Sequence, residues 1–519
     1  MMPRKLFFGG GLLLLVLGTA AAQLPPAKTS LGPKPPEGVG GCSVDKPTCA
    51  ELAPAIIRSA MGASPIEENL RHLTDVIGGR VSGSPAASKA GAWAVEAFRK
   101  SGVDDVHIEK FTIAAGWSEG ATRIEVLAPE PFPVRLVSFG WSPPTPVGGI
   151  TANIVDVGKG DEAGFAHAGA SAKGAILLVH TELLQTMEQL FDEYMEAPPI
   201  IERAIQSGAS ALFWMSSRSN LLLYRHSSNL TGKLESLPMA ILAREDAERI
   251  ARFVAGGTNV RVHFTLPNRT PGPVESENVV AEIRGREKPD EFVILGAHLD
   301  SWELGTGALD NGCNAAMVID AARAMHAAGM APRRSVRFIL FTGEEQGMLG
   351  SAAYARAHRN ELDKMDAAII FDEGTGQVTG FSLGARKDIV AAVNDALQPL
   401  VALGAGTHTT DAIFGTDNLD FMLEGIPNLV ANQEPANYLL NYHAQSDTFD
   451  KVDMKELKRQ VAISAVAAYG IADRAERLGP RQSRAEIETT IKESGFDQQM
   501  RGFGFWPLWE SGARGRAPR

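Results

Sequence analysis

The chain has 519 residues, 44% hydrophobic and 21% charged, which suits a soluble globular protein of two or three domains rather than one core. A formal net charge of -11 without a basic cluster excludes a nucleic-acid surface. No apolar run after the N-terminus reaches the length of a membrane span.

The first 22 residues read as an export signal. Arg4 and Lys5 precede an apolar stretch at 6–17, and Ala20-Ala21-Ala22 supplies small residues for cleavage. The mature protein is therefore expected in the periplasm or outside the cell, with a retained anchor as the alternative. Residues 23–51 are Pro/Gly-rich and read as a linker. Cys42 and Cys49 lie there and are expected to form a disulfide in an exported chain; two free thiols are the alternative. Cys313, the third cysteine, reads as a small packing residue.

Ser64-Pro65-Ile66-Glu67 predicts a helix start with Ser64 as cap and Glu67 closing a capping box. A second helix is expected over 86–100, then a strand over 106–111. From about 130 to 265 short strands alternate with Gly/Pro turns, at 150–157, 175–180 and 211–215, with a helix at 199–207. This region is assigned to an inserted domain, splitting a catalytic domain of residues 52–129 and 266–475. Strands at 278–283 and 291–297, a helix at 311–328 and a strand at 367–371 follow, with covering helices at 387–403 and 453–475. The alternation predicts an α/β sandwich. Residues 476–519 form an extension carrying Phe503, Phe505, Trp506 and Trp509, whose role is not readable.

Apolar runs at 292–295 and 336–341 lead into His298 and into Glu344-Glu345, and the run at 367–371 ends at Asp372. In α/β sheets that edge binds ligands. With Asp310 and His443, these residues supply imidazole and carboxylate, the groups zinc accepts. The set is too large for one tetrahedral ion and suits two ions sharing a carboxylate, ~3.5–4 Å apart. Of two adjacent glutamates, one can hold metal while the other faces a water, because neighbours at a strand end point apart. Asp300 is placed to orient the His298 ring from behind. Taken singly, each of these residues is more often structural; their joint placement after successive strands carries the reading.

The segments GAHLDSWELGTGALDNGCNAA, FTGEEQGMLGS, FDEGTG and YHAQSDT resemble the motifs of the co-catalytic di-zinc exopeptidases. That family includes secreted aminopeptidases, glutamate carboxypeptidase II and carboxypeptidase Q, and the layout is most similar to the last. The resemblance covers most of residues 52–475 and implies two zinc ions per chain. His298 and Asp372 would hold one, Glu345 and His443 the other, with Asp310 between them and Glu344 as general base. It also implies a protease-associated-type insert at 130–265 and a cis peptide between Asp310 and Asn311. Tyr442 departs from the pattern, since carboxypeptidase Q has histidine there; it is a candidate oxyanion donor. Asp417 is expected to support a substrate loop by hydrogen bonds, and Glu373 to attract a substrate ammonium. His408 is a lesser candidate for the cleft.

The implied function is hydrolysis of dipeptides or short peptides. The acidic wall of Glu344, Asp372 and Glu373 favours a free N-terminus; Arg386 is the nearest candidate for binding a carboxylate instead. The alternatives are a glutaminyl cyclase on the same fold, which needs one zinc, and a non-catalytic receptor or scaffold. Short peptides are the expected partners, without nucleic acid or a membrane span in the mature chain; a homodimer is compatible with the reading.

Overall fold

The apolar runs that end near the expected ligands form the middle of one sheet in the computed structural model, which describes residues 49–329 and 331–518. The signal-like segment, Cys42 and most of the linker lie outside the described residues, and with them the expected disulfide. Across the sheet the strands run Asp105–Ile113, Val274–Ile283, Arg334–Phe341, Lys288–His298, Met365–Ile370, Asn428–Gln433 and Val378–Ser382. The four from Arg334–Phe341 to Asn428–Gln433 are parallel, and the outer pairings are antiparallel.

Both faces of this mixed sheet are covered, which is why its central strands read as unbroken apolar runs rather than alternating ones. Val293, Leu295 and Ala297 pack with helices Cys313–Ala327 and Met454–Ala472, while Phe292 and Ile294 pack with Tyr354, Met365 and Phe421 on the other face. The result is an α/β sandwich.

A second seven-stranded sheet spans Arg123–Ala128 to Arg261–Thr265 and has its own apolar layers. Its parallel middle comprises Ile150–Asp156, Ile176–Val179, Ala211–Met215 and Met239–Leu242. Its first strand precedes residue 130. The helix expected at 199–207 is far longer, Met187–Gln206. A capping box of Thr186 and Gln189 starts it early, and it runs through Pro198-Pro199, which read in sequence as a beginning.

Other local expectations also shift. The Ser64 hydroxyl accepts the Ile66 N–H at 3.1 Å and donates to Asp320 at 2.7 Å, so it ties helix Ile66–Arg71 to the core. Glu67 closes no capping box and pairs with Arg71 on the surface. The helix expected at 387–403 is interrupted: Val390–Ala396 lies between the 3₁₀ segments Lys387–Ile389 and Gln398–Leu403, the second with Pro399 in its first turn. The extension folds into helices Arg484–Glu493, Phe496–Gly502 and Trp506–Glu510. Its Phe503, Phe505 and Trp509 are buried against Met348, Leu419, Met422 and Leu423. Among the described residues no helix is long and apolar enough to cross a membrane.

Candidate active site

The parallel strands deliver His298, Glu344-Glu345 and Asp372 to one edge, and two loops bring Asp310 and His443 to it. His298 closes its strand, and Asp372 follows Met365–Ile370. His298 Nε2 lies 2.9 Å from Asp372 Oδ1 and 3.1 Å from Asp310 Oδ1. His443 Nε2 lies 2.8 Å from Glu345 Oε2 and 3.2 Å from Asp310 Oδ2. The two oxygens of Asp310 thus face two different histidines.

Two sets of donor atoms lie within 4.8 Å of one another: His298 with Glu344 and Asp372, and His298 with Asp310 and Glu345. His298, Asp310, Glu345 and His443 are buried, and Asp310 Oδ2 and Glu345 Oε1 accept no hydrogen bond. Buried acceptors without donors are costly unless a cation takes their lone pairs. Clustered carboxylates and imidazoles with orphaned oxygens fit metal ions.

The electrostatics agree. Burial by itself would lower His298, but Asp372 and the neighbouring carboxylates raise it well above its ordinary value. His443 is likewise raised to about 9, Glu345 and Asp310 overcoming burial. Burial pushes Glu345 up to about 7 and holds Glu344 well above the carboxylate range, with Asp372 and Asp417 adding to it against His298. Such an assembly of acids is relieved by positive charge at its centre.

Residues 278–468 match the model of peptidase family M28. Carboxypeptidase Q of Mus musculus is 30% identical over 419 residues, which is 79% of this chain and 86% of that protein. The chain belongs to peptidase family M28. It is accordingly a metallo-exopeptidase, a hydrolase. The crystal structure of a peptidase M28 precursor from Shewanella amazonensis SB2B superposes with TM-score 0.75 at 26% identity, covering 84% of this chain and 99% of that one. BSAP, a zinc aminopeptidase from Bacillus subtilis, shares the fold with TM-score 0.63 at 20% identity over 81% of this chain and 97% of that one.

Several residues that hold this M28 site together were not singled out in sequence. Asp447 accepts the consecutive N–H groups of Ala308, Leu309 and Asp310 at 3.1, 2.7 and 3.2 Å, which fixes the turn before helix Cys313–Ala327. The Asp310–Asn311 peptide in that turn is cis. Arg80, fully buried, donates to the carbonyls of Leu299, Gly78, Thr306 and Gly307. Asn311 donates to Phe371 O at 3.0 Å, linking the turn to the Asp372 strand. A lone Asp, Arg or Asn gives no local signal for such work, because all but one of these partners, Gly78, are distant in sequence.

The lesser candidates fare differently. His298 Nδ1 is held by the backbone carbonyl of Asp300 at 3.0 Å and lies 3.5 Å from the Asp300 carboxylate, which also accepts from the Ser82 hydroxyl and the Glu344 N–H. Asp417 is buried at the start of helix Asn418–Leu423, with Ser351 the hydroxyl nearest to partnering its carboxylate. Burial pushes Asp417 up to about 8, with Asp372 and Asp300 adding to the rise against His298. Tyr442 stacks on His443 with ring centroids 3.6 Å apart, and its hydroxyl meets that of Tyr194 at 3.0 Å. His408 accepts from the Phe381 N–H and stacks on that ring, and it is not among the residues lining the cavity over the cluster. Arg386 is buried against Asp388 and the Pro480 carbonyl.

A cavity of about 450 Å³ opens over the ligand cluster, within the ~300–1,000 Å³ range of small-molecule sites. Tyr194 and neighbours on helix Met187–Gln206 line one side, residues 412–416 another, and Phe496, Gln499 and Phe503 a third. Its charged walls are acidic, with Glu188, Glu344, Glu345, Asp310, Asp372 and Glu373, and among the described residues no Lys or Arg lines it. Burial, with Asp372 beside it, pushes Glu373 to about 7.

Proposed function

We propose that this M28 peptidase releases amino acids from dipeptides and short peptides with a free N-terminus, at a centre of two zinc ions. The observation that carries the reading is Asp310. Its two oxygens face His298 and His443, and each histidine has a further carboxylate of its own, Asp372 and Glu345. The donor set thus divides into two halves sharing one group, the pattern of a two-metal site. His298 and Asp372 would hold one ion, Glu345 and His443 the other, and Asp310 both.

Bound there, the ions supply an acidified water as nucleophile and polarise the scissile carbonyl. Glu344 lines the cavity beside the cluster and takes the proton of the attacking water, then returns it to the leaving amine. Burial, the first cause of its raised proton affinity, favours that role. When the Tyr194 hydroxyl is the donor in its 3.0 Å contact with that of Tyr442, the Tyr442 proton is free to meet the developing oxyanion. Glu373 and the acidic walls attract an α-ammonium, and among the described residues no guanidinium fork lines the cavity to take a substrate carboxylate.

Residues 130–265 are read as a protease-associated-type insert that covers the cleft, in keeping with the position of helix Met187–Gln206 along the cavity. Residues 1–22 are read as a signal for export. The deciding experiment compares free, N-acetylated and C-amidated dipeptides, with zinc counted per chain. N-acetylation should suppress hydrolysis far more than amidation, at about two zinc ions per chain. If amidation is the more damaging block, the enzyme works from the C-terminus. One zinc with cyclisation of N-terminal glutamine would move the reading to a glutaminyl cyclase, and a metal-free chain to a scaffold.

A further inference from the structure

Part of the lining of the cavity that holds the ligand cluster is aromatic, and the C-terminal extension contributes Phe496 and Phe503 to it. Phe414 stands with its ring 5.2 Å from Phe496 and 5.8 Å from Phe503, both from the extension. Phe191 of the insert helix closes on Phe414 at 6.4 Å, edge to face. Three segments far apart in sequence thus converge on one apolar recess beside the acids. Among the described residues Gln499 is the polar side chain that the extension adds to the lining, and it carries no charge. Glu188, at the start of the insert helix, is exposed and lies on the solvent side.

This wall is anchored. Arg514 donates to both Asp420 oxygens at 2.8 and 2.7 Å, Arg484 donates to Trp509 O at 2.7 Å, and Met500, Phe505 and Trp509 are buried. The aromatic rings are therefore held at a set distance from the cluster. A rigid apolar recess rewards a substrate side chain that displaces water from it and offers no counter-ion to a charged one.

We infer that the C-terminal extension forms the substrate's side-chain pocket, with Phe496 and Phe503 selecting a bulky apolar residue next to the scissile bond. The assignment of that residue as the N-terminal one rests on the function proposed above; the pocket itself does not.

The test uses the full chain with its metals. Dipeptides Phe-Ala, Leu-Ala, Ala-Ala, Glu-Ala and Lys-Ala are compared in free and N-acetylated form, for wild type, Phe503→Ala and Phe503→Arg. Wild type should favour Phe-Ala and Leu-Ala over Ala-Ala by ~10–200-fold in kcat/KM. Phe503→Ala should lose about tenfold on Phe-Ala while Ala-Ala changes little, and Phe503→Arg should gain on Glu-Ala. Calorimetric binding of free phenylalanine against alanine and glutamate to the wild type gives the same ranking without any variant. Equal rates across the wild-type panel, a preference for Lys-Ala, or a uniform loss in Phe503→Ala at unchanged zinc content would overturn the inference. An apolar preference that persists on better-cleaved N-acetyl substrates would overturn the N-terminal reading and leave the pocket standing.

Discussion

The two halves of the ligand cluster are held by different means. His298 and Asp372 extend from neighbouring strands whose backbones are locked by parallel ladders. His443 follows the short helix Tyr438–Asn441 and sits at φ 57°, a left-handed conformation that non-glycine residues seldom adopt. Its anchors come from the region of the second sheet. The Arg225 N–H donates to His443 O at 2.9 Å, and His443 Nδ1 donates to Arg225 O at 3.2 Å. Gln445 N–H reaches Leu223 O at 3.1 Å, and the Arg218 guanidinium reaches Tyr442 O at 3.3 Å. Since a carbonyl can only accept, Nδ1 carries the proton and Nε2 is left to face the cluster. One half inherits the rigidity of the central sheet, whereas the other, although its Glu345 also follows a central strand, is complete only when residues 223–225 dock on the His443 loop.

The largest expected effect lies between the halves. Glu344→Gln should lower kcat by ~10²–10⁴-fold with both zinc ions retained. Loss of an ion in that variant would exchange the roles of Glu344 and Glu345, as the proximity of Glu344 to His298 and Asp372 allows. On the loop half, Tyr442→Phe should cost about 10²-fold in kcat with little change in KM, as removal of an oxyanion donor does. A change confined to KM would make Tyr442 a wall of the cavity only.

Metal removal addresses the comparison directly. Stepwise chelation should take the His443-side ion first. Arg218→Met loosens that loop, so it should weaken the first-lost ion by ~10–100-fold and leave the second nearly untouched. Asp447→Asn disturbs the turn that carries the shared Asp310, so it should weaken both. Equal shifts of both ions in Arg218→Met would show that the halves are not held separately.

The smallest effect is a control on the central sheet, away from the ligands. His358 lies 2.9 Å from Glu109 on the edge strand and also contacts Glu361. Burial opposes the shift, but these acids raise His358, and it in turn helps lower Glu109 and Glu361 against their own burial. A raised histidine contributes fully below its unfolded value of about 6.5 and loses the contribution as pH rises through the folded value. Lowered acids contribute above about 4.3 and lose it as pH falls. The cluster is therefore most stabilising near pH 5–6.5. His358→Gln should cost at most ~1 kcal/mol there, because the pair is partly exposed, and less at pH 9, in denaturant titrations. Zinc content should not move.

What the chain determined locally was the strand half of the site. Apolar runs ending in His298, Glu344-Glu345 and Asp372 carry their meaning in a few consecutive residues, because strand burial and the direction of the sheet edge follow from periodicity. The sandwich fold was legible for the same reason. The setting of His443 was not, nor were the supports from Asp447 and Arg80, the early start of helix Met187–Gln206 or the place of the extension in the cavity. Each depends on segments hundreds of residues apart meeting: Arg80 with Thr306, Arg225 with His443, Phe191 with Phe414. A hydrogen bond to a distant carbonyl leaves no pattern around the donor, and an aromatic residue in a tail reads alike whether it faces solvent, a core or a substrate. Only the packing of the two sheets and the extension against one another decided which of these it was.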